Sequence, residues 1–100
     1  MIAAKAGTYR ERLLMKIHLI NYDLNTPGKN YDNLINAVKA YGKWAKVCKS
    51  CWAIKTDKTD TQIRDNLKQY IDANDILFVC TFDSWASYGL PKDVADWLKT

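Results

Sequence analysis

Four sets of residues in this 100-residue chain have types and spacings that chemistry can use. Asp23 closes the run "KIHLINYD", so its carboxylate sits at the carboxyl end of the strand expected to run through the middle of a sheet. There it is either polar punctuation for the turn that follows or a metal ligand. Cys48 and Cys51 make a C-x-x-C. Redox versions open a helix after a strand, and zinc versions need a second ligand pair. This pair lies in a strand-like run with only Cys80 and His18 as further candidates, so neither use is expected. His18 alternates with Ile17 and Leu19 and reads as a packed sheet residue rather than a catalyst.

The fourth set is basic. Lys39, Lys43, Lys46, Lys49, Lys55 and Lys58 crowd one stretch against Asp57 alone, with Trp44 and Trp52 interleaved. Lysines neutralise phosphates and aromatic rings stack on unpaired bases, so RNA or DNA is one partner for this surface. A solvated hairpin whose lysines guard strand edges is the other. The stretch has no arginine, which argues against base-specific recognition. The remaining carboxylates are assigned to structure or solvent. Asp57 and Asp60 flank the start of the second helix, where negative charge suits the dipole. Asp72 and Asp75 close that helix and open the last strand, Asp32 lies in the first turn of the first helix, and Asp93 and Asp96 face solvent on the tail.

The elements that must hold these residues alternate along the chain. A first strand spans residues 16 to 23, and "NTPGKN" breaks it at Pro27 and Gly28. A helix follows from Tyr31 to Tyr41, with Tyr31, Leu34, Ile35 and Val38 on one face and Gly42 as its stop. "KWAKVCKS" and "CWAIKTD" read as two strands bending near Lys49 and Ser50. Thr59 and Gln62 have capping-box spacing before a second helix, whose stripe is Ile63, Leu67, Tyr70 and Ile71 and whose end falls near Asn74. "ILFVCTF" reads as a buried strand, and "LPKDVADWLK" as a short tail helix with Pro91 near its start.

This β-α-β-β-α-β order predicts an α+β, ferredoxin-like sandwich with a short C-terminal helical tail. Two helices would cover one face of the sheet and leave the other open. The open face would present Tyr22 or Asn21, and Trp52 or Cys51, according to register. So much apolar area predicts a symmetric homodimer, with Trp85, Tyr88 and Trp97 as packing anchors.

Composition agrees with a single folded domain over residues 15–100: 48% of residues are apolar, 26% are charged and the net charge is +4. No apolar run is long enough for a membrane span, and no secretion signal is evident. Three cysteines without a disulfide framework point to a cytoplasmic protein. Residues 1–14, "MIAAKAGTYRERLL", stand apart as an extension: an upstream translation start, a cloning remnant, or a real arm, disordered or loosely helical.

The "YD" closing the first strand, the polar loop and helix after it, and the hairpin "KVCKSCW" resemble the small CRISPR-associated protein of the spacer-acquisition complex, the Cas-two family. The likeness runs from Lys16 to Phe82. It is closer to small bacterial Cas-two-like proteins of the SinR-like kind, through "YDLN.PGK.Y", "ND.L.V" and "G.PK...DWL"; the toxin-like VapD group shares the fold. Tyr22 and Asp23 match the strand-end motif, and Ser50 and Trp52 match the hairpin motif. Cys48 takes the place of a glutamine that the family's hairpin often carries, and Lys29 alone represents the basic residues that follow the aspartate.

The resemblance implies a dimer in which the two Asp23 carboxylates approach across a two-fold axis and hold magnesium. Magnesium keeps several waters, so one or two carboxylates and a phosphate oxygen suffice for it. Two functions of different class follow. One is a dimeric magnesium-dependent endonuclease acting on RNA or DNA through Asp23. The other is a non-catalytic dimeric module that binds nucleic acid or protein through Lys43, Trp44, Lys46, Lys49, Lys55 and the tail.

Overall fold

The computed structural model describes residues 2–3 and 15–100. A two-residue strand, β1 (Ile2–Ala3), precedes β2 (Lys16–Asp23), α1 (Asp32–Lys39), β3 (Trp44–Cys48), β4 (Cys51–Thr56), α2 (Asp60–Leu67), β5 (Ile76–Phe82) and α3 (Lys92–Leu98). The four longer strands and β1 form one sheet in the order β1-β3-β4-β2-β5, antiparallel throughout. Since every neighbouring pair is antiparallel, α1 joins two strands that run the same way, β2 and β3, across β4. α2 does the same for β4 and β5 across β2. The described residues thus form a mixed α+β structure of four long antiparallel strands and three helices.

Side-chain alternation along β2 separates the two faces of the sheet. His18, Ile20 and Tyr22 are buried on one face, in register with Ile54 and Trp52 of β4 and with Thr81, Val79 and Leu77 of β5. α1 and α2 close over that face with Leu34, Val38, Ile63 and Leu67, all fully buried. α2 opens with the expected capping box. Thr59 Oγ1 accepts from the Gln62 N–H at 3.1 Å, and Gln62 Oε1 accepts from the Thr59 N–H at 2.9 Å. It ends sooner than the apolar stripe suggests, tightening after Leu67 into a 3₁₀ turn over Lys68–Tyr70. α1 is also shorter than expected, because Tyr31 is its N-cap and the chain turns away at Gly42, whose φ is +86°.

The second face is not left wholly open. α3 lays Val94, Trp97 and Leu98 on Ala45 and Ala53, where small strand residues let the helix approach closely. Among the described residues, α3 is the one helix on this face; its buried side chains lie over β3 and β4, with Ile17 and Phe82 packed at their margin. Over β2 and β5, a groove of about 270 Å³ remains between Leu19, Phe82, Trp85, Leu90 and Leu98. β5 departs from the expectation of a buried strand: it is the sheet edge, and Ile76 and Phe78 are 59% and 58% exposed. Among the tail aromatics, Trp97 is buried. Trp85 stands edge-on to Phe82 at 5.9 Å, and Tyr88 is fully exposed rather than packed within the chain.

Of residues 1–14, read from sequence as a disordered or loosely helical arm, the structure describes Ile2 and Ala3, which pair with Ala45 and Trp44 along the edge of β3. The rest of that expectation lies outside the described residues. No helix among the described residues is long and apolar enough to cross a membrane.

Candidate metal and nucleic-acid site

The loop after β2 is held by carboxylates from more than 40 residues away. Asp75 accepts from the Asn25 N–H at 2.7 Å, the Asp72 N–H at 2.7 Å and the Tyr31 hydroxyl at 3.0 Å. Asp72 accepts from Lys29 Nζ at 2.6 Å and Thr26 Oγ1 at 2.8 Å, and Asn25 Nδ2 donates to the Asn74 carbonyl at 2.9 Å. The stretches "YDLNTPGKNY" and "NDILFV" therefore meet as one clasp. Hydrogen bonds from Lys29 and Thr26 hold the Asp72 carboxyl below the usual carboxylate range. Burial pushes Asp75 up, but the Asn25 and Asp72 amides and Tyr31 outweigh it, and it too lies low. Sequence reasoning gave these two aspartates only the ends of elements. No local signal could reveal partners so distant in the chain.

With the turn held by Asp72 and Asp75, Asp23 does not hold it. Its side chain is exposed, and its carboxylate has no hydrogen-bond partner among the described residues. Its backbone carbonyl accepts from Asn25 Nδ2 at 3.3 Å. Strand parity aims Asp23 at the second face beside Asn21, in register with Ile76 and Phe78 of β5.

Behind it, the three other motif positions form one unit. Tyr22 points to the helix-covered face, where its hydroxyl accepts from Trp52 Nε1 at 3.0 Å in a buried contact. Ser50 takes the left-handed conformation in the hairpin turn, at φ +62°, and its carbonyl accepts from the Tyr22 N–H at 3.1 Å. Tyr22, Trp52 and Ser50 thus fix the strand end, and at its tip the Asp23 carboxylate is unpartnered among the described residues.

The lysines do not assemble into one ridge. Lys46 lies over the Trp52 ring at 5.5 Å, and Lys43 Nζ is 3.5 Å from Met15 Sδ. Lys55 donates to the Trp97 carbonyl and to Thr100 Oγ1, each at 2.7 Å, and lies over the Trp97 ring at 4.2 Å. Burial and then the charge of Lys43 hold its pKa below the usual lysine value. Lys55 is a clamp for the tail. Lys49, at the hairpin tip, is exposed. Trp44 is buried edge-on against Trp52 at 5.5 Å with Lys39 over its ring at 5.1 Å, so it offers no open face to a base, contrary to the expectation of a stacking platform.

No protein-family model matches this chain, and no curated protein matches it either. What the site can do therefore rests on its own geometry. Among the described residues, no three His, Cys, Asp or Glu side chains gather as a metal cage. Asp23 brings one hard carboxylate per chain, unengaged among the described residues and enough only for an ion that keeps most of its water. His18 is spent elsewhere. Its Nδ1 donates to Asp60 at 2.7 Å, Thr81 Oγ1 donates to the same carboxylate at 2.9 Å, and Nε2 is buried without a partner among the described residues. That arrangement faces the core rather than a substrate, in keeping with a packed sheet histidine.

Proposed function

We propose that this chain is one half of a symmetric, magnesium-dependent endonuclease acting on RNA or DNA, with a ferredoxin-like core and Asp23 as its metal ligand. The observation that carries this reading is the state of Asp23: exposed, its carboxylate without a hydrogen-bond partner among the described residues, and on the face that also exposes Ile76 and Phe78. Strand order supports the ferredoxin-like description, since each of α1 and α2 connects same-sense strands around an intervening one. The uncovered apolar half of the second face supports a second copy as its cover. A two-fold axis near the end of β2 would double the single carboxylate. Three free thiols support a reducing, cytoplasmic setting.

In this reading the chain's own residues do limited, definable work. Asp23 supplies the anionic oxygen, and the Tyr22–Trp52–Ser50 unit keeps the strand end from yielding when that oxygen is loaded. Lys49 supplies positive charge at the hairpin tip for the phosphate backbone. Magnesium, when bound, supplies polarisation of a phosphodiester and a more acidic water.

The test is a nuclease assay of wild type beside Asp23→Asn, with and without magnesium, on RNA and DNA, together with sedimentation and thermal melts. A wild-type dimer that cleaves only with magnesium, and an equally folded variant that does not cleave, is the expected result. Magnesium should also raise the wild-type melting temperature and leave the variant's unchanged, because paired carboxylates repel until a cation separates them. Equal shifts in both proteins, or a monomer at every workable concentration, would sink the metal site. A dimer that retains nucleic acid salt-dependently without cleaving it would replace this reading with the binding module.

A further inference from the structure

Along a continuous strand, residues three apart point to opposite faces, and a C-x-x-C carries no thiol pair. The fold removes that obstacle. Cys48-Lys49-Ser50-Cys51 wraps a two-residue turn, and the β3–β4 register places Cys48 directly opposite Cys51. Directly opposed residues of antiparallel strands share a face with Cα atoms about 4.5–5.5 Å apart. The ladder shifts register between Lys46 and Cys48, which brings Cys48 opposite Cys51; a disulfide spans about 4.4–6.8 Å between Cα atoms, a range that includes the spacing of opposed residues. Both thiols are free, with Cys48 exposed and Cys51 half-buried. Cys80 lies on β5, with β2 between it and β4. Two strand spacings, roughly 9.5 Å, put it out of bridging reach of Cys51.

We propose that Cys48 and Cys51 form a reversible oxidation site, closing a disulfide across the hairpin turn when the chain meets a hydroperoxide. The exposed Cys48, as thiolate, attacks a peroxide oxygen. An S–O bond forms, the O–O bond breaks, and the departing hydroxide leaves as water after taking a proton, so that Cys48 becomes a sulfenic acid. Cys51 sulfur then displaces that oxygen. The S–S bond forms, the S–O bond breaks, and the Cys51 proton leaves with the second water. Two thiols have lost two electrons and two protons, and one hydrogen peroxide has become two waters.

The order of attack follows from the surroundings of the two thiols. Burial, and then the adjoining Cys48, push the Cys51 thiol up to about 11, which makes it the poorer first nucleophile and leaves it to resolve. The clasp reaches further than the turn, because the Ser50 carbonyl inside it accepts from the Tyr22 N–H at 3.1 Å, one residue from Asp23. The inference does not depend on Asp23 holding a metal.

The test is peroxide treatment of the full chain, followed by alkylation, intact mass measurement and peptide mapping. The expected product is a chain with no disulfide to another chain, two hydrogens lost to a Cys48–Cys51 bridge, Cys80 alone alkylated, and all three thiols restored by dithiothreitol. Cys51→Ser should halt at a sulfenic acid trapped on Cys48, and Cys48→Ser should resist oxidation at Cys51. Wild-type Cys48 oxidised while Cys51 remains alkylatable would overturn the proposal. So would a bridge to Cys80, disulfides only between chains, or three free thiols under peroxide that oxidises a C-x-x-C hairpin peptide.

Discussion

The two faces of one sheet share the same strands yet differ in what covers them. On one, α1 and α2 bury Trp52 to 1% exposure, and its indole N–H reaches the Tyr22 hydroxyl. On the other, the buried side chains of α3 sit on Ala45 and Ala53 of β3 and β4, and Phe78 of β5 stays 58% exposed. Both residues are large aromatics in apolar runs. Burial here is decided by strand parity and by where the helices end, not by residue type. The faces therefore hold different parts of the free energy: the helix-covered face carries the fold, and the other carries whatever the molecule meets.

The sharpest way to break this contrast is at the core. Trp52→Ala removes the centre of the helix-covered face and leaves the Tyr22 hydroxyl without its donor, so it should cost about 3–5 kcal/mol in urea unfolding. A loss under about 1 kcal/mol would mean that the two faces are not energetically distinct.

A smaller effect is expected at Asp60, on the rim of that face. Burial pushes its carboxyl up, but hydrogen bonds from His18 and Thr81 outweigh it and bring the pKa below the ordinary 3.8. A carboxyl lowered on folding contributes its stability fully above the unfolded value and loses it as pH falls through the folded one. Wild type should therefore lose melting temperature below about pH 3.8 more steeply than Asp60→Asn. The difference is modest, because the Asp60 side chain is 41% exposed and solvent screens it. Parallel acid profiles would show that His18 and Asp60 are not coupled.

The smallest changes belong to the uncovered half. Phe78→Ser should shift the stability of an isolated chain by no more than about 0.5 kcal/mol. If a second copy covers that face, the same substitution should instead raise the dimer's dissociation constant, as read by sedimentation. In an isolated chain, where no second carboxylate opposes it, Asp23→Asn without metal should be equally silent in melts, whereas Asp75→Ala, which strips partners from Asn25, Tyr31 and Asp72, should lower the melting temperature measurably.

Much of this architecture is legible in the chain because it is local. Period-two alternation sets β2 at Lys16–Asp23, and Thr59 and Gln62 announce the start of α2. The bend at Lys49 and Ser50 is readable only from the change of pattern, since Ser50 occupies a conformation usually left to glycine. What sequence cannot supply is parity and reach. Whether Tyr22 or Asn21 faces the helices turns on register. "ILFVCTF" looks buried because an unbroken apolar run does not say which strand ends up at the edge. At the candidate site, the place of Asp23 at a strand end is legible. Its freedom is not, because that depends on Asp72 and Asp75 arriving from across the fold to hold the loop.

The division of the sheet also gives the molecule an optical signature. Trp44 and Trp52 sit under α1 and α2, Trp97 on the sheet-facing side of α3, and Trp85 at 39% exposure beside the groove. Of the four indoles, a water-soluble quencher should reach Trp85 first and the other three only as their layers open. Emission will therefore report Trp85 separately from the core, and shielding of that one fluorophore is what a ligand or second copy settling beside it would produce.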